Sequence, residues 1–207
     1  MSLPEYIASQ LRKPHGFIGR ALISRILNKA NSKMNDVTLN SLELNNSDRV
    51  LEVGFGGGAL LAEMARHNSK ALFFGVDFSQ DMVSLCQKRM RGLILEGRVQ
   101  LDCANVENLP YETETFTKIC SVNTIYFWED CHLAMRELNR VLKKQGLLVL
   151  TFGDKVSMSE QTVTNYGFSL YTSSDVQQIL EEEGFRNIKI KQEEDGSGLF
   201  YSLTATK

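Results

Sequence analysis

From residue 49 onward, short apolar runs alternate with segments of helical periodicity. A chain with that alternation folds as a parallel sheet joined by crossover helices. The first run is Arg49-Val50-Leu51-Glu52-Val53, followed by a glycine cluster and a helix over 58–67. A second run covers 71–76. Ser79 then caps a helix with Asp81 in its first turn, Lys88, Arg89 and Arg91 in its last, and Gly92 just beyond, which suits both ends of the helix dipole. Further strands are predicted at 98–101, 117–122 and 147–152. A helix over 130–143 carries Ala134, Leu138 and Leu142 on one face. Thr172 with Asp175 has the form of a capping box for a helix ending at Gly184. Residues 187–191 alternate as a half-exposed strand does. Asp195-Gly196 marks a turn into a last strand at 199–206, and so short a link makes that final pair antiparallel.

Residues 1–48 read as a helical extension that could serve as a lid, and 49–207 as the α/β domain. Within the extension Ile18, Leu22 and Ile26 recur every four residues, with Arg20, Arg25 and Lys29 between them. Pro14 and Gly16 separate this stretch from an earlier helix over 4–11. The 207 residues, 43% hydrophobic and 23% charged, suit one domain with a substantial core. A formal net charge of -2 gives no basic footprint, which argues against a long nucleic-acid substrate. No apolar stretch is long enough to span a bilayer, and the first residues lack the pattern of a signal peptide. The four cysteines show no metal or redox spacing, so the expectation is reduced thiols in a cytoplasmic protein with no metal.

The stretch Glu52-Val53-Gly54-Phe55-Gly56-Gly57-Gly58-Ala59 falls where the first strand meets the first helix. Glycines there let the backbone approach a ligand. Gly54, Gly56 and Ala59 also fit the dinucleotide pattern G-x-G-x-x-A, so the loop alone leaves the cofactor open. Asp77 follows the second strand, where a carboxylate can accept both ribose hydroxyls of an adenosine ligand; a strand-end cap is the bland alternative. Glu52 discriminates by sign. A carboxylate there repels the pyrophosphate of a dinucleotide and attracts the sulfonium and ammonium of S-adenosylmethionine.

With these residues in order, the chain resembles the class I S-adenosylmethionine-dependent methyltransferases, in particular the small-molecule branch that includes ubiquinone- and menaquinone-biosynthesis enzymes. VLEVGFGGG is similar to the family's first motif and GVDFSQDMV to its ribose-binding motif. ANVENLPYETETF, RELNRVLKKQGLLVLTF and YTSSDVQQILEEEGF resemble later motifs. The resemblance implies a doubly wound seven-stranded sheet, mostly parallel with the last strand antiparallel, and helices on both faces. It implies S-adenosylmethionine held by Glu52, Gly54, Gly56, Gly58, Asp77, Phe78, Asn105, Val106 and Asn123. Asn105 stands where the family usually has an aspartate facing the adenine amino group; its carbonyl can accept the same bond. Lys144 and Gln145 replace a Pro-Gly turn remote from the ligand.

The expected activity is methyl transfer to a small-molecule acceptor by in-line displacement. The donor is already activated, so alignment and exclusion of water can supply most of the catalysis. Tyr126, Phe127 and Trp128 are candidates for an apolar acceptor pocket, with Phe127 favoured to pack under the following helix. Tyr126, Asp154 and His15 are the candidate catalytic residues; His132 and Tyr166 are weaker ones. The long polar loop 153–170 and residues 1–30 could cover the acceptor. The alternatives are a non-catalytic S-adenosylmethionine-binding module and an NAD(P)-dependent reductase.

Overall fold

The computed structural model describes residues 2–12, 31–196 and 198–207. The predicted amphipathic stretch 17–30 and His15 lie outside the described residues. Helix α1 spans Leu3–Arg12 and α2 Ser32–Leu42. Strands follow at β1 Arg49–Val53, β2 Leu72–Asp77, β3 Val99–Cys103, β4 Phe116–Val122, β5 Leu142–Gly153, β6 Arg186–Asp195 and β7 Gly198–Thr206. Between them lie α3 Ala59–His67, α4 Gln80–Arg89, α5 Arg91–Leu95, α6 Cys131–Val141, α7 Lys155–Ser159 and α8 Ser173–Glu182.

The seven strands run in the order β3-β2-β1-β4-β5-β7-β6. The first five in sequence pair in parallel. β7 is antiparallel to both of its neighbours, β5 and β6. The central strands are apolar almost throughout, as strands covered on both faces must be. Successive side chains point to opposite faces. Leu51 and Val53 therefore join Leu138, Val176 and Leu180 beneath α6 and α8, while Val50 joins Met34, Leu60 and Val83 beneath α2, α3 and α4. The seven-stranded, mostly parallel sheet, its antiparallel last strand and the helices on both faces are those the resemblance implies.

The capping signals have their physical counterparts. Ser79 Oγ accepts from the Met82 N–H, and Thr172 and Asp175 form the reciprocal box; Asp130, read on sequence only as a helix start, also caps, its Oδ1 accepting from the Leu133 N–H. Three details differ from the sequence reading. Gly92 does not end the helix after Ser79, which closes at its C-cap Met90; Gly92 lies in the short helix α5, which stops just before Gly97, whose φ is 70°. β5 begins at Leu142 rather than 147, because Phe116 pairs with Leu142 across an irregularity in register. Gln145 takes the left-handed conformation (φ 63°) in place of the family's glycine, and its N–H donates to the Lys207 carbonyl at 3.1 Å.

Helix α2, counted on sequence with the N-terminal extension, is packed on the sheet. Met34, Val37 and Leu42 are buried in the core it shares with β1 and α3. Thr38 Oγ1 lies 2.7 Å from Thr151 Oγ1 on β5. Among the described residues no helix is long and apolar enough to cross a membrane.

Candidate cofactor and acceptor site

The β1–α3 loop holds three glycines in the left-handed region: Gly54 (φ 73°), Gly56 (φ 48°) and Gly58 (φ 71°). Gly54 has a second reason to be glycine, since a Cβ there would collide with the Thr124 side chain. Gly58 serves packing. It caps α3, and a Cβ would meet Cys86 Sγ at 2.9 Å. Of the loop glycines expected at the cofactor, Gly54 and Gly56 line the cavity described below; Gly58 faces α4 and does not. That corrects its expected role.

Asp77 ends β2 and braces the loop. Its Oδ2 accepts from the Gly56 N–H and its Oδ1 from the Ser79 N–H, both at 2.9 Å. Each oxygen keeps a lone pair for a ligand. Burial raises its pKa, and the two backbone bonds partly offset this. Glu52, on β1, is 4% exposed. Its carboxyl accepts from the Leu61 N–H, while Oε2 has no hydrogen-bond partner. Burial first, and the charge of Asp77 second, push its pKa from an ordinary 4.5 up to about 8. A buried carboxylate left without a partner is costly, and a cation beside it removes the cost.

At the carboxyl ends of the strands these groups open on one cavity of about 470 Å³. Its first half is lined by Glu52, Gly54, Gly56, Asp77, Phe78, Asn105 and Val106. Asn105 is exposed, and its Oδ1 accepts from the Glu107 N–H at 3.1 Å. The second half is apolar: Leu11, Met34, Trp128, Met158, Val163 and Phe168 contribute to it. Phe127 also lines it, contrary to the expectation that it packs under the helix; its ring stands edge-on to Phe168 at 4.7 Å.

Asn123, in the left-handed region (φ 61°), sits at the junction of the halves. Its Oδ1 accepts from the Tyr126 hydroxyl at 2.8 Å and its Nδ2 donates to Asn31 Oδ1 at 2.9 Å. The Tyr126 oxygen in turn accepts from the Gly153 N–H. Burial drives the Tyr126 pKa well up, so this hydroxyl is a positioned donor and no base at neutral pH.

Asp154 does not reach the cavity as a catalytic group. It is the N-cap of α7, and its Oδ2 accepts from the Val156 and Ser157 N–H groups at 2.9 and 3.2 Å. A carboxylate occupied at its own helix start serves as a cap, and Asp154 is not among the lining residues. His132 bonds Glu183 through Nδ1 at 3.1 Å, and Tyr166 lies outside the lining. Sequence reasoning offered residues 1–30 as a cover without naming Ile7, Leu11 and Arg12 of α1, which line the cavity, and it missed Asn31, Met34 and Asn35 at the start of α2.

A glycine loop after the first strand, an acid ending the second and a buried carboxyl on β1 with an unpartnered oxygen suit an adenosine cofactor bearing positive charge. Residues 51–150 match the family model described as a methyltransferase domain. An uncharacterised methyltransferase, YdaC of Bacillus subtilis, is 25% identical over 79% of this chain and 90% of its own length. The ubiquinone/menaquinone biosynthesis C-methyltransferase UbiE of Geobacter sulfurreducens is 33% identical over 49% of this chain and 40% of its own. The crystal structure of an S-adenosylmethionine-dependent methyltransferase from Aquifex aeolicus superposes with a TM-score of 0.70 at 22% identity, covering 84% of this chain and 89% of that one. Over residues 51–150 the chain carries a methyltransferase domain, and its fold is that of the S-adenosylmethionine-dependent methyltransferases, whose cofactor is S-adenosylmethionine.

Proposed function

We propose that this protein transfers the methyl group of S-adenosylmethionine to an apolar small-molecule acceptor. The observation that carries the reading is the single cavity, which joins a carboxylate-lined half at the glycine loop to an aromatic and thioether-lined half beyond Asn123. The donor, when bound, supplies a methyl group activated by its sulfonium. Gly54 and Gly56 give it close backbone approach, Asp77 meets its ribose, Asn105 and Val106 its adenine, and Glu52 its cationic end. Phe78 flanks the same half. Tyr126 and Asn123 hold the junction rigid through the Gly153 bond, and the apolar half aligns the acceptor and keeps water out. The relative UbiE, a C-methyltransferase of ubiquinone/menaquinone biosynthesis, supports an acceptor of this apolar kind.

S-Adenosylmethionine and S-adenosylhomocysteine should each raise the melting temperature, since a ligand selective for the folded state stabilises it. Differential scanning fluorimetry tests this. Equal stabilisation by NADH with none from either compound would refute the assignment. Transfer of labelled methyl from the donor into metabolite extracts then separates catalysis from mere cofactor binding.

Helix α1 closes the apolar half in this reading. Ile7, Leu11 and Arg12 line the cavity, and Arg12 reaches Glu129 at 3.5 Å. Removing residues 1–12 should leave S-adenosylhomocysteine binding within about threefold, because no donor-facing group is lost, while acceptor turnover falls at least about tenfold. Full turnover by the truncated protein would show that α1 is no lid.

A further inference from the structure

We propose that the carboxamides of Asn31 and Asn35 seat the α-carboxylate at the amino-acid end of the methyl donor. The argument starts from a hydrogen-bond chain whose direction is fixed. The Gly153 backbone N–H can only donate, so the Tyr126 oxygen accepts it. The Tyr126 proton therefore goes to Asn123 Oδ1 at 2.8 Å, which turns Asn123 Nδ2 toward Asn31 Oδ1 at 2.9 Å. Asn31 is left presenting its NH2 group, and this nitrogen has no hydrogen-bond partner among the described residues. Each bond in the chain orients the next, so the final N–H groups face a ligand atom that accepts.

Asn31 also declines its ordinary task. It precedes α2 as the N-cap, where asparagine normally accepts from the first turn, yet its side chain makes no such bond. It is turned instead into the cavity wall. One turn on, Asn35 lines the same cavity, is nine-tenths buried, and has no side-chain partner among the described residues. Two carboxamides at i and i+4 stand on one helix face. The positive end of an eleven-residue helix lies behind them, and an anion gains from it.

What takes these donors follows from the neighbourhood. Side chains along β1 alternate between the two faces of the sheet. Glu52 and Val50 share one face, and Val50 packs there with Met34 and Val37 of α2. Leu51, between them, points the other way, into the core beneath α6 and α8. The orphaned Glu52 Oε2 calls for a cation, and the donor's amino-acid end carries an ammonium and a carboxylate on one carbon. A cation-seeking carboxylate and a pair of anion-seeking carboxamides on one face match that zwitterion. Arg12, the cation among the described lining residues, is held by Glu129 at the acceptor end. The assignment rests on the cavity's taking S-adenosylmethionine.

Isothermal titration with two nucleosides tests it. S-Adenosylhomocysteine carries the amino-acid end, and 5′-methylthioadenosine lacks it. Asn31→Asp and Asn35→Asp replace a donor with a like charge and should each weaken S-adenosylhomocysteine at least tenfold, with 5′-methylthioadenosine unchanged within twofold. Asn35→Leu, which keeps the shape and removes the donor, should weaken S-adenosylhomocysteine severalfold and guards against a variant that fails to fold. Unchanged S-adenosylhomocysteine binding, or equal weakening of both nucleosides, would overturn the assignment alone. A wild-type protein that binds neither compound would overturn the cofactor reading and the assignment with it.

Discussion

Affinity for S-adenosylmethionine should climb about tenfold per pH unit up to about pH 8 and level off above it, with about one proton released on binding. Glu52 is the cause. In the empty site, burial and the neighbouring Asp77 charge keep its carboxyl protonated up to about pH 8. A cationic ligand favours the ionised form, so below that pH binding must first expel the proton. Asp77 faces Glu52 with a raised pKa of its own, and the nearby thiols Cys86 and Cys120 are pushed up by burial and stay neutral. Titration calorimetry in buffers of different ionisation enthalpy reads both the slope and the proton. Glu52→Gln should bind weakly with a profile that lacks this slope. A wild-type profile as flat as the variant's would show that Glu52 is not coupled to the donor.

The same carboxyl sets the stability of the ligand-free protein. Its folded pKa lies above the unfolded one, so its contribution is complete below about pH 4.5 and is lost as pH rises through about 8. The donor should therefore stabilise the fold more at about pH 8 than at about pH 6.

Asp77→Ala should weaken S-adenosylhomocysteine by about 1–3 kcal/mol, the range for losing hydrogen bonds to a charged group. In the proposed reading the acid meets the ribose; in the structure it ties Gly56 to Ser79. Its removal frees two backbone N–H groups and relieves a buried charge, and these oppose each other in stability. The domain should stay folded. Calorimetry beside a melting curve separates the roles: a lowered melting temperature with an unchanged dissociation constant would leave Asp77 as a loop brace only.

Much of this was legible because local chemistry and tertiary role coincide. The glycines of the first loop need left-handed backbone, and Ser79 and Thr172 are helix caps by residue type. The short turn at Asp195-Gly196 made the last pair antiparallel. Asp154 misled because a carboxylate just past a strand reads equally as a catalytic acid or as a cap; only the short helix behind it decides. The α2 wall was illegible for a different reason. Asn31 and Asn35 belong to a segment nearly as polar as a loop, and what turns Asn31 to the cavity is Asn123, 92 residues away. No periodicity within α2 carries that contact.

The placement of β7 has a consequence for how the chain is made. β6 lies at the edge of the sheet and its partner is β7, which is seventh in sequence but sixth in space. As the polypeptide emerges from the ribosome, the ten residues of β6 appear before the strand that will join them to β5. They must wait with backbone groups unpaired, the state in which strands recruit the wrong neighbour. Lys189, Lys191, Glu193, Glu194 and Asp195 load that waiting strand with charge of both signs. Charge of both signs opposes such wrong pairing until β7 joins β6 to β5.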